Sequence, residues 1–304
     1  MAESGPALTG LHHGLVVATH GRHVWVEDDH GERRLCHPRG KKSQALVGDR
    51  VHWQASADEG TIESVQPRRN LLYRQDELRT KSFAANLDQI LIVLAAEPVF
   101  SESQLNRALI AASAAHIPAL VVLNKQDLTA AFHDAWSRLL PYQRMGIDTL
   151  PLCLNTGAGL PALLERLTGR VSLVLGPSGV GKSTLVNRLV PHAEAATNAI
   201  SKALNSGKHT TTSTQWYWLD AGHRSALIDS PGFQEFGLRH IDPAHLAQWM
   251  PDINAALGHC RFYNCTHTHE PGCGVREQVG TGIGEHRYGL YTALYAELSQ
   301  PERY

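Results

Sequence analysis

The chain has 304 residues, of which 42% are hydrophobic and 19% are charged, the composition of a folded globular protein rather than a disordered one. Its 28 Lys and Arg balance 29 Asp and Glu to a net charge of −1, which excludes a chain-wide basic field. Any binding of nucleic acid must therefore come from a local patch.

Residues 10–70 have the pattern of short β-strands separated by turns. β-Branched and aromatic runs at residues 15–17, 24–26 and 51–53 alternate with glycine and aspartate turn signals. Several short strands in so short a segment predict a small barrel of the oligonucleotide-binding type. We assign this first domain to residues 1–82.

A basic stretch runs through the same region. Residues 33–50 contain six Lys or Arg side chains against Asp49 alone, and more follow up to residue 81. This charge fits a solvated face as well as it fits a surface that contacts the phosphate backbone of RNA.

From residue 87 onward, buried strands alternate with helices. Apolar runs predict strands at residues 90–94, 119–123, 149–154 and 171–175, and helical patterns lie at residues 105–115, 130–140 and 160–167. This alternation predicts a parallel sheet covered by helices on both faces, in a second domain at residues 83–240. A helical third domain, residues 241–304, ends in an amphipathic segment at residues 285–298.

A phosphate-binding loop follows the predicted strand at residues 171–175 and opens a helix. The residues that match G-x-x-x-x-G-K-[ST] and its flank are Gly176, Pro177, Ser178, Gly179, Val180, Gly181, Lys182, Ser183 and Thr184. Glycines let backbone N–H groups converge on phosphate oxygens, and the helix N-terminus adds positive potential. Lys182 would neutralise the β- and γ-phosphates, and Ser183 would bind Mg²⁺.

A second nucleotide element is the sequence Asp-x-x-Gly at the end of the apolar run 226–228. Asp229 would hold Mg²⁺ through water, and the N–H of Gly232 would face the γ-phosphate.

Another predicted strand is followed by Asn124, Lys125, Gln126 and Asp127, and these residues indicate which nucleotide base the site recognises. Guanine presents two donors, N1–H and the 2-amino group, that one carboxylate accepts together, whereas adenine presents neither. Asp127 would therefore select guanine, with Asn124 supporting the loop and the O6 side and the Lys125 stem covering the ring.

The order of these elements is unusual, because the base-recognition element precedes the phosphate loop. A doubly wound sheet tolerates such a circular permutation, since the chain ends lie near each other at the surface. The helix at residues 160–167 and the turn at Gly169 mark the expected junction.

A cluster of soft ligands lies near the C-terminus. Cys260, Cys265, His267 and Cys273 suit a closed tetrahedral site for one structural Zn²⁺, and His269 competes with His267 by spacing. Buried thiols or a disulfide are the alternative.

Together these motifs resemble the circularly permuted ribosome small-subunit-dependent GTPase A (RsgA, or YjeQ) family over nearly the whole chain. Further matches are Gly48-Asp49, Ala85 to Gln89 and Gly207 to Thr212. The resemblance implies a cytoplasmic GTPase that binds the small (30S) ribosomal subunit and its 16S rRNA, acts in late subunit maturation and has subunit-stimulated turnover. It also favours His267 as the zinc ligand.

Two departures from the family pattern stand out. The usual Ser-Ala before Lys-Thr-Gly, a second guanine contact, is here Cys153-Leu154-Asn155, and Gly-Arg-His is here Gly207-Lys208-His209.

The sequence lacks the glutamine that usually orients the attacking water in GTP hydrolysis. Phe233 stands where Ras-like enzymes carry the glutamine that orients water, so we expect slow intrinsic turnover. His209 is the internal candidate for proton handling, unless it only contacts RNA or solvent. One of Thr210, Thr211 and Thr212 would close on Mg²⁺ in the GTP state.

Two alternative functions remain. One is a phosphate-loop ATPase or kinase, but the sequence at residues 124–127 argues against it. The other is a nucleotide-independent rRNA-binding assembly factor, but the intact Lys182, Ser183 and Asp229 argue against it. We expect no membrane partner, because the longest apolar run (residues 90–96) is far below the ~20 residues of a spanning helix and the first residues lack the features of a secretory signal. We also expect a monomer.

Overall fold

The structure is a computed structural model that describes residues 10–20, 23–40, 45–56, 59–75, 80–190, 214–230 and 237–300. Five strands between Leu11 and Val65 form a barrel. Its strands are β1 (Leu11–His20), β2 (His23–Glu27), β3 (Arg33–Pro38), β4 (Arg50–Ala55) and β5 (Gly60–Val65). They pair in the order β1-β2-β3-β5-β4, and β4 pairs again with β1, which closes the barrel and leaves no free edge.

Strand β1 belongs to two cores at once. Val16 packs inside the barrel, whereas Leu15 and Val17 point to the larger core of the protein, as the two-residue period of a strand requires. The end of β1 then pairs with β12 (Thr214–Trp218), so the barrel and the central sheet share one continuous ladder.

A hairpin of β6 (Leu71–Gln75) and β7 (Thr80–Ala85) links the barrel to the central sheet. Gly48 has a φ of +92°, and a Cβ atom on it would lie 2.1 Å from the carbonyl oxygen of Ala85, so only glycine allows this close approach. Beside it, the buried Asp49 accepts two hydrogen bonds from Arg68, at 2.7 and 2.8 Å. These contacts fix the end of the barrel against the hairpin.

Several cations of the basic stretch serve the fold itself. Four of them pair with carboxylates: Arg33 with Glu27, Arg39 with Glu63, Arg68 with Asp49 and Arg69 with Asp88. Part of the charge seen in the sequence is thus paired with acids of the protein, although the side chains of Arg39 and Arg69 stay exposed, at 70% and 59%.

The central sheet has the order β10-β9-β8-β11-β13-β12. Its strands are β8 (Gln89–Ala95), β9 (Ala119–Asn124), β10 (Asp148–Pro151), β11 (Val171–Leu175), β12 and β13 (Ala226–Asp229). All pairs are parallel except β12 with β13, which run antiparallel.

Helices cover both faces of this sheet. Helices α1 (Glu102–Ala114) and α2 (Thr129–Arg144) pack on one face, and α3 (Leu160–Leu167) and α4 (Lys182–Leu189) pack on the other. Strand β8 is buried along its whole length, with Ile90 and Ile92 in the first core and Leu91 and Val93 in the second. The predicted parallel sheet with helices on both faces is confirmed.

The C-terminal region consists of a 3-10 helix (Pro243–Trp249), short helices α5 (Pro251–Asn254) and α6 (Gly274–Glu277), and the longer α7 (Glu285–Leu298). Buried Arg287 of α7 donates to Asp252 at 2.8 Å and to the side chain of Asn106 in α1, and its guanidinium lies 5.2 Å from the ring centre of Tyr142. This network docks the region on helices α1 and α2. Within the described ranges, no helix has the length and apolar character that crossing a bilayer requires.

The structure corrects the sequence analysis at three places. The strand predicted at residues 149–154 ends at Pro151, because Leu154 turns to donate its N–H to the Asn124 side chain. The β6–β7 hairpin and strand β12 were missed, since the aromatic residues of β12 give no clear alternation and its partners lie far away in the chain.

Candidate functional site

The predicted nucleotide elements meet at the carboxyl edge of the central sheet. Asn124 ends β9, Gly176 directly follows β11, and Asp229 ends β13. Because these strands are parallel, their carboxyl ends lie at one edge, which is where open α/β sheets bind ligands.

The phosphate loop has the backbone that its glycines predict. A Cβ atom on Gly176 would lie 2.2 Å from the carbonyl oxygen of Val93, and one on Gly181 would lie 2.6 Å from the side-chain amide of Asn124. Gly181, with a φ of +103°, caps helix α4, so the positive end of that helix opens at the loop. Ser178, Gly179, Ser183 and Thr184 are exposed and open to a ligand.

Lys182 and Asp229 form the charged pair of the site. Lys182 donates to the carbonyl oxygen of Pro177 at 2.6 Å, inside the loop. Burial lowers the pKa of Lys182, and the nearby Asp229 opposes that shift. Burial likewise raises the pKa of Asp229, with Lys182 opposing. Each charge thus supports the other in a partly desolvated site, which is suited to hold an anionic group and a cation.

Asp127 is exposed at the same edge, and both of its carboxylate oxygens accept hydrogen bonds. Asn155 donates to Oδ2 at 2.8 Å, and the buried Cys153 thiol donates to Oδ1 at 3.3 Å. These two bonds hold the pKa of Asp127 below its ordinary value. A carboxylate oxygen has two lone pairs, so each oxygen retains capacity for a donor from a ligand.

Asn124 joins the two halves of the site. Its buried side chain donates to the carbonyl oxygen of Val180 at 2.9 Å and accepts from the N–H of Leu154 at 3.1 Å. The residue thereby ties the phosphate loop to the loop that carries Cys153 and Asn155. Lys125 follows in the left-handed conformation (φ +67°), and Gln126 donates its N–H to the carbonyl of Leu152 at 3.1 Å.

We expect Asn124→Ala to weaken binding of GTP and GDP at least tenfold and to lower the free energy of unfolding. The substitution leaves a buried C=O and a buried N–H unpaired, at about 1–3 kcal/mol for each. Fluorescent-nucleotide titration and urea unfolding measure the two effects. The matched control is Asn254→Ala, at an exposed helix position away from the site. Unchanged affinity would show that Asn124 does not organise the site.

Two contacts in the site join residues that are distant in the chain, and the sequence motifs gave neither pairing. The pairing of Asn155 with Asp127 joins residues 28 apart in the chain. The bond from Asn124 to the phosphate loop spans 56 residues. For Asn155, the sequence signal was the departure at Cys153-Leu154-Asn155, which marked the loop as unusual without giving its contacts. For Asn124, the motif predicted a loop-supporting role without naming Val180 as the partner.

The four predicted metal ligands also come together. The ligand atoms of Cys260, Cys265, His267 and Cys273 all lie within 4.8 Å of one another, so that the group could hold a metal ion. Nδ1 of His267 lies 3.4 Å from Sγ of Cys260 and 3.5 Å from Sγ of Cys273. The competing His269 instead places Nδ1 at 2.9 Å from the hydroxyl of Thr268.

Hydrogen bonds from α7 brace the segment that carries this cluster. Tyr288 donates to the carbonyl oxygen of His267, and Tyr291 donates to that of Thr266, both at 2.8 Å. The cluster is thereby attached to the helix that docks on α1 and α2.

Some predicted residues lie outside the described part of the chain. They are Gly207, Lys208, His209, Thr210, Thr211, Thr212, Gly232 and Phe233.

Fold and site together define a circularly permuted phosphate-loop GTPase. A sequence profile described as "RsgA GTPase" matches residues 65–239. The "Small ribosomal subunit biogenesis GTPase RsgA" of Variovorax paradoxus (strain S110) is 61% identical over 98% of this chain and 96% of its own. The protein of the same name from Burkholderia pseudomallei (strain K96243) is 54% identical over 94% and 92%.

Solved structures agree with these sequence matches. YjeQ from Thermotoga maritima superposes with a TM-score of 0.73 at 31% identity, over 96% of this chain and 100% of that one. YloQ, described as a circularly permuted GTPase, has the same fold, with a TM-score of 0.70 at 24% identity over 99% and 100% of the two chains. The chain belongs to the RsgA GTPase family and is a GTP hydrolase.

Proposed function

We propose that GTP lies across the carboxyl edge of the central sheet, with its base at Asp127 and its phosphates in the loop at residues 176–184. The observation that carries this proposal is the bond from Asn124 to Val180, which fixes the base-recognition element against the phosphate loop. Two carboxylate oxygens at one end and a cradle of N–H groups and Lys182 at the other match the donors of guanine and the charge of a triphosphate.

Ser183 and Asp229 are the residues that would hold Mg²⁺. The hydroxyl of Ser183 is exposed at the start of α4, and Asp229 is a partly buried carboxylate at the end of β13; Mg²⁺ prefers oxygen ligands of both kinds. When bound, the ion would neutralise charge on the β- and γ-phosphate oxygens. Gly232 would donate its N–H to the γ-phosphate.

Hydrolysis transfers the γ-phosphoryl group to water, which yields GDP and inorganic phosphate. Lys182 stabilises the charge that develops on the departing β-phosphate oxygen, since its ammonium group is fixed by Pro177 in a partly desolvated loop. Because Phe233 stands in place of a water-orienting glutamine, we assign proton handling to His209. One of Thr210, Thr211 and Thr212 would close on Mg²⁺ as a ligand in the GTP state.

We expect His209→Ala to lower stimulated GTP turnover while sparing the affinity for GTP. The imidazole acts on the attacking water rather than on the bound nucleotide, so loss of the ring affects the rate alone. Steady-state phosphate release and nucleotide titration separate the two quantities. Stimulated turnover equal to that of the unsubstituted protein would remove His209 from the mechanism.

The partner we propose is the small (30S) ribosomal subunit, which the names of the relatives indicate. In this scheme, the barrel domain (residues 1–82) and the C-terminal domain (residues 241–304) contact 16S rRNA, while the GTPase domain (residues 83–240) controls release by hydrolysis. The protein would act as a monomer in the cytoplasm, where ribosomal subunits are assembled.

The decisive experiment is GTP turnover with and without purified small subunits, with ATP as the control nucleotide. We expect slow intrinsic turnover, marked stimulation by the subunits and no ATP hydrolysis. Turnover of ATP would favour the ATPase or kinase alternative, and small-subunit binding that is indifferent to nucleotide would favour the nucleotide-independent assembly factor.

For the Cys3His cluster, we propose one structural Zn²⁺. Three thiolates and one imidazole form a closed donor set typical of zinc, which leaves no position for a reacting ligand. Such a site stabilises the fold around it rather than taking part in hydrolysis.

Cys265→Ala is therefore expected to reduce the zinc content from one ion per chain to none and to lower the thermal stability of the C-terminal region. Intrinsic GTP binding should persist, because the nucleotide elements belong to the central sheet. Elemental analysis and thermal unfolding provide the measurements. Cys36→Ala, which removes a thiol inside the barrel, should retain the ion; equal zinc contents in the two variants would refute the assignment.

A further inference from the structure

We propose that the four-residue tip Arg261-Phe262-Tyr263-Asn264 is a stacking site for an unpaired RNA base. The inference rests on the proposed binding to the small ribosomal subunit and names one contact within it. All four residues of this tip are exposed. Tyr263 is fully exposed and Phe262 is 41% exposed, whereas Tyr291, which donates a hydrogen bond to Thr266 in the metal-ligand segment, is buried.

The tip is held in a fixed position. It lies between two members of the Cys3His cluster, Cys260 and Cys265, so one metal ion would pin both of its ends. Arg261 donates its N–H to the carbonyl oxygen of Gly272 at 2.8 Å, and Cys265 donates to that of Phe262 at 3.3 Å. Gly272 has a φ of +66°, and a Cβ atom on it would lie 3.2 Å from Cβ of Arg261. An aromatic ring presented on a fixed loop loses little conformational entropy when it binds a flat partner.

The chemistry of the tip favours a nucleic acid over a protein. Its one charge is the guanidinium of Arg261, which lies 5.6 Å from the ring centre of Phe262. The nearest acid along the chain after the tip, Glu270, turns back to Thr266 and accepts from its N–H and hydroxyl at 2.7 and 2.6 Å. An exposed aromatic ring next to a cation suits single-stranded RNA, because a base can stack on the ring while the cation binds a backbone phosphate.

Substitutions at Tyr263 distinguish stacking from simple apolar contact. Tyr263→Phe keeps the ring, Tyr263→Leu keeps apolar bulk without a π-face, and Tyr263→Ala removes both. Binding of each variant to purified small subunits is measured by sedimentation at a fixed salt concentration. We expect Phe to match tyrosine, and both Leu and Ala to weaken binding roughly tenfold, the effect of losing one stacked base.

Two results would overturn the inference. If Tyr263→Leu binds as well as the unsubstituted protein, the tip enters an apolar protein pocket; if Tyr263→Ala does, the tip makes no contact. The matched control is Leu164→Ala, which removes an exposed apolar side chain from α3, on the opposite face of the central sheet from α1 and α2. Intrinsic GTP binding reports folding and should be the same in all variants. Absence of subunit binding by the unsubstituted protein would instead refute the proposed function itself.

Discussion

Asp127→Asn is expected to lower the affinity for GTP by roughly 10³- to 10⁴-fold and to create affinity for xanthosine triphosphate. A carboxylate accepts both donors on the edge of guanine, whereas an amide presents one acceptor and one donor. The donor of the amide opposes the 2-amino group of guanine but matches the 2-oxo group of xanthine. Competition titration with the two nucleotides measures the exchange of specificity.

The same substitution at an exposed acid provides the control for this experiment. Asp134→Asn, on helix α2, removes an equal charge from the surface and should leave both affinities unchanged. If Asp127→Asn retained its preference for GTP, guanine would be recognised elsewhere, and the bonds from Cys153 and Asn155 to Asp127 would have only a structural purpose.

Lys182→Met should reduce GTP turnover by about 10²- to 10³-fold or more, the usual cost of removing one preorganised group that stabilises developing charge. Methionine approximates the length of the lysine stem, so the loop keeps its packing while losing the ammonium group that contacts Pro177. Single-turnover phosphate release measures the effect on the chemical step. Thermal unfolding should change little, because the burial that lowers the pKa of Lys182 also penalises its charge in the folded state. Removing that penalty offsets the loss of the contacts with Pro177 and Asp229.

A surface cation serves as the control for Lys182. Arg166→Ala on α3 removes a half-exposed charge that pairs with Asp148, and it should not alter turnover. If Lys182→Met bound to small subunits and was released from them like the unsubstituted protein, hydrolysis would not control release. The nucleotide-independent assembly factor would then be the better description.

The sequence alone predicted the backbone of the phosphate loop. A glycine pattern between a strand and a helix dictates a backbone conformation, and the structure shows that backbone at Gly176 and Gly181. The alternation of buried strands with helices likewise predicted the parallel sheet, because each strand needs two covered faces. The short spacing of the cysteines and the histidine predicted that the four candidate metal ligands lie close together, because short loops limit how far their side chains can separate. The structure shows this proximity.

The tertiary structure decided which loops touch. Asn124 braces the phosphate loop, and Asn155 occupies one oxygen of Asp127, although each pair is far apart in the chain. Four arginines of the basic stretch, which fitted a solvated face or an RNA-contacting surface equally well, proved to be paired with acids. Strand β12 joined the barrel to the central sheet. The local sequence pattern of a segment predicts its secondary structure and turns. Contacts between distant segments depend instead on how strands align and helices pack, and residues throughout the chain determine that arrangement.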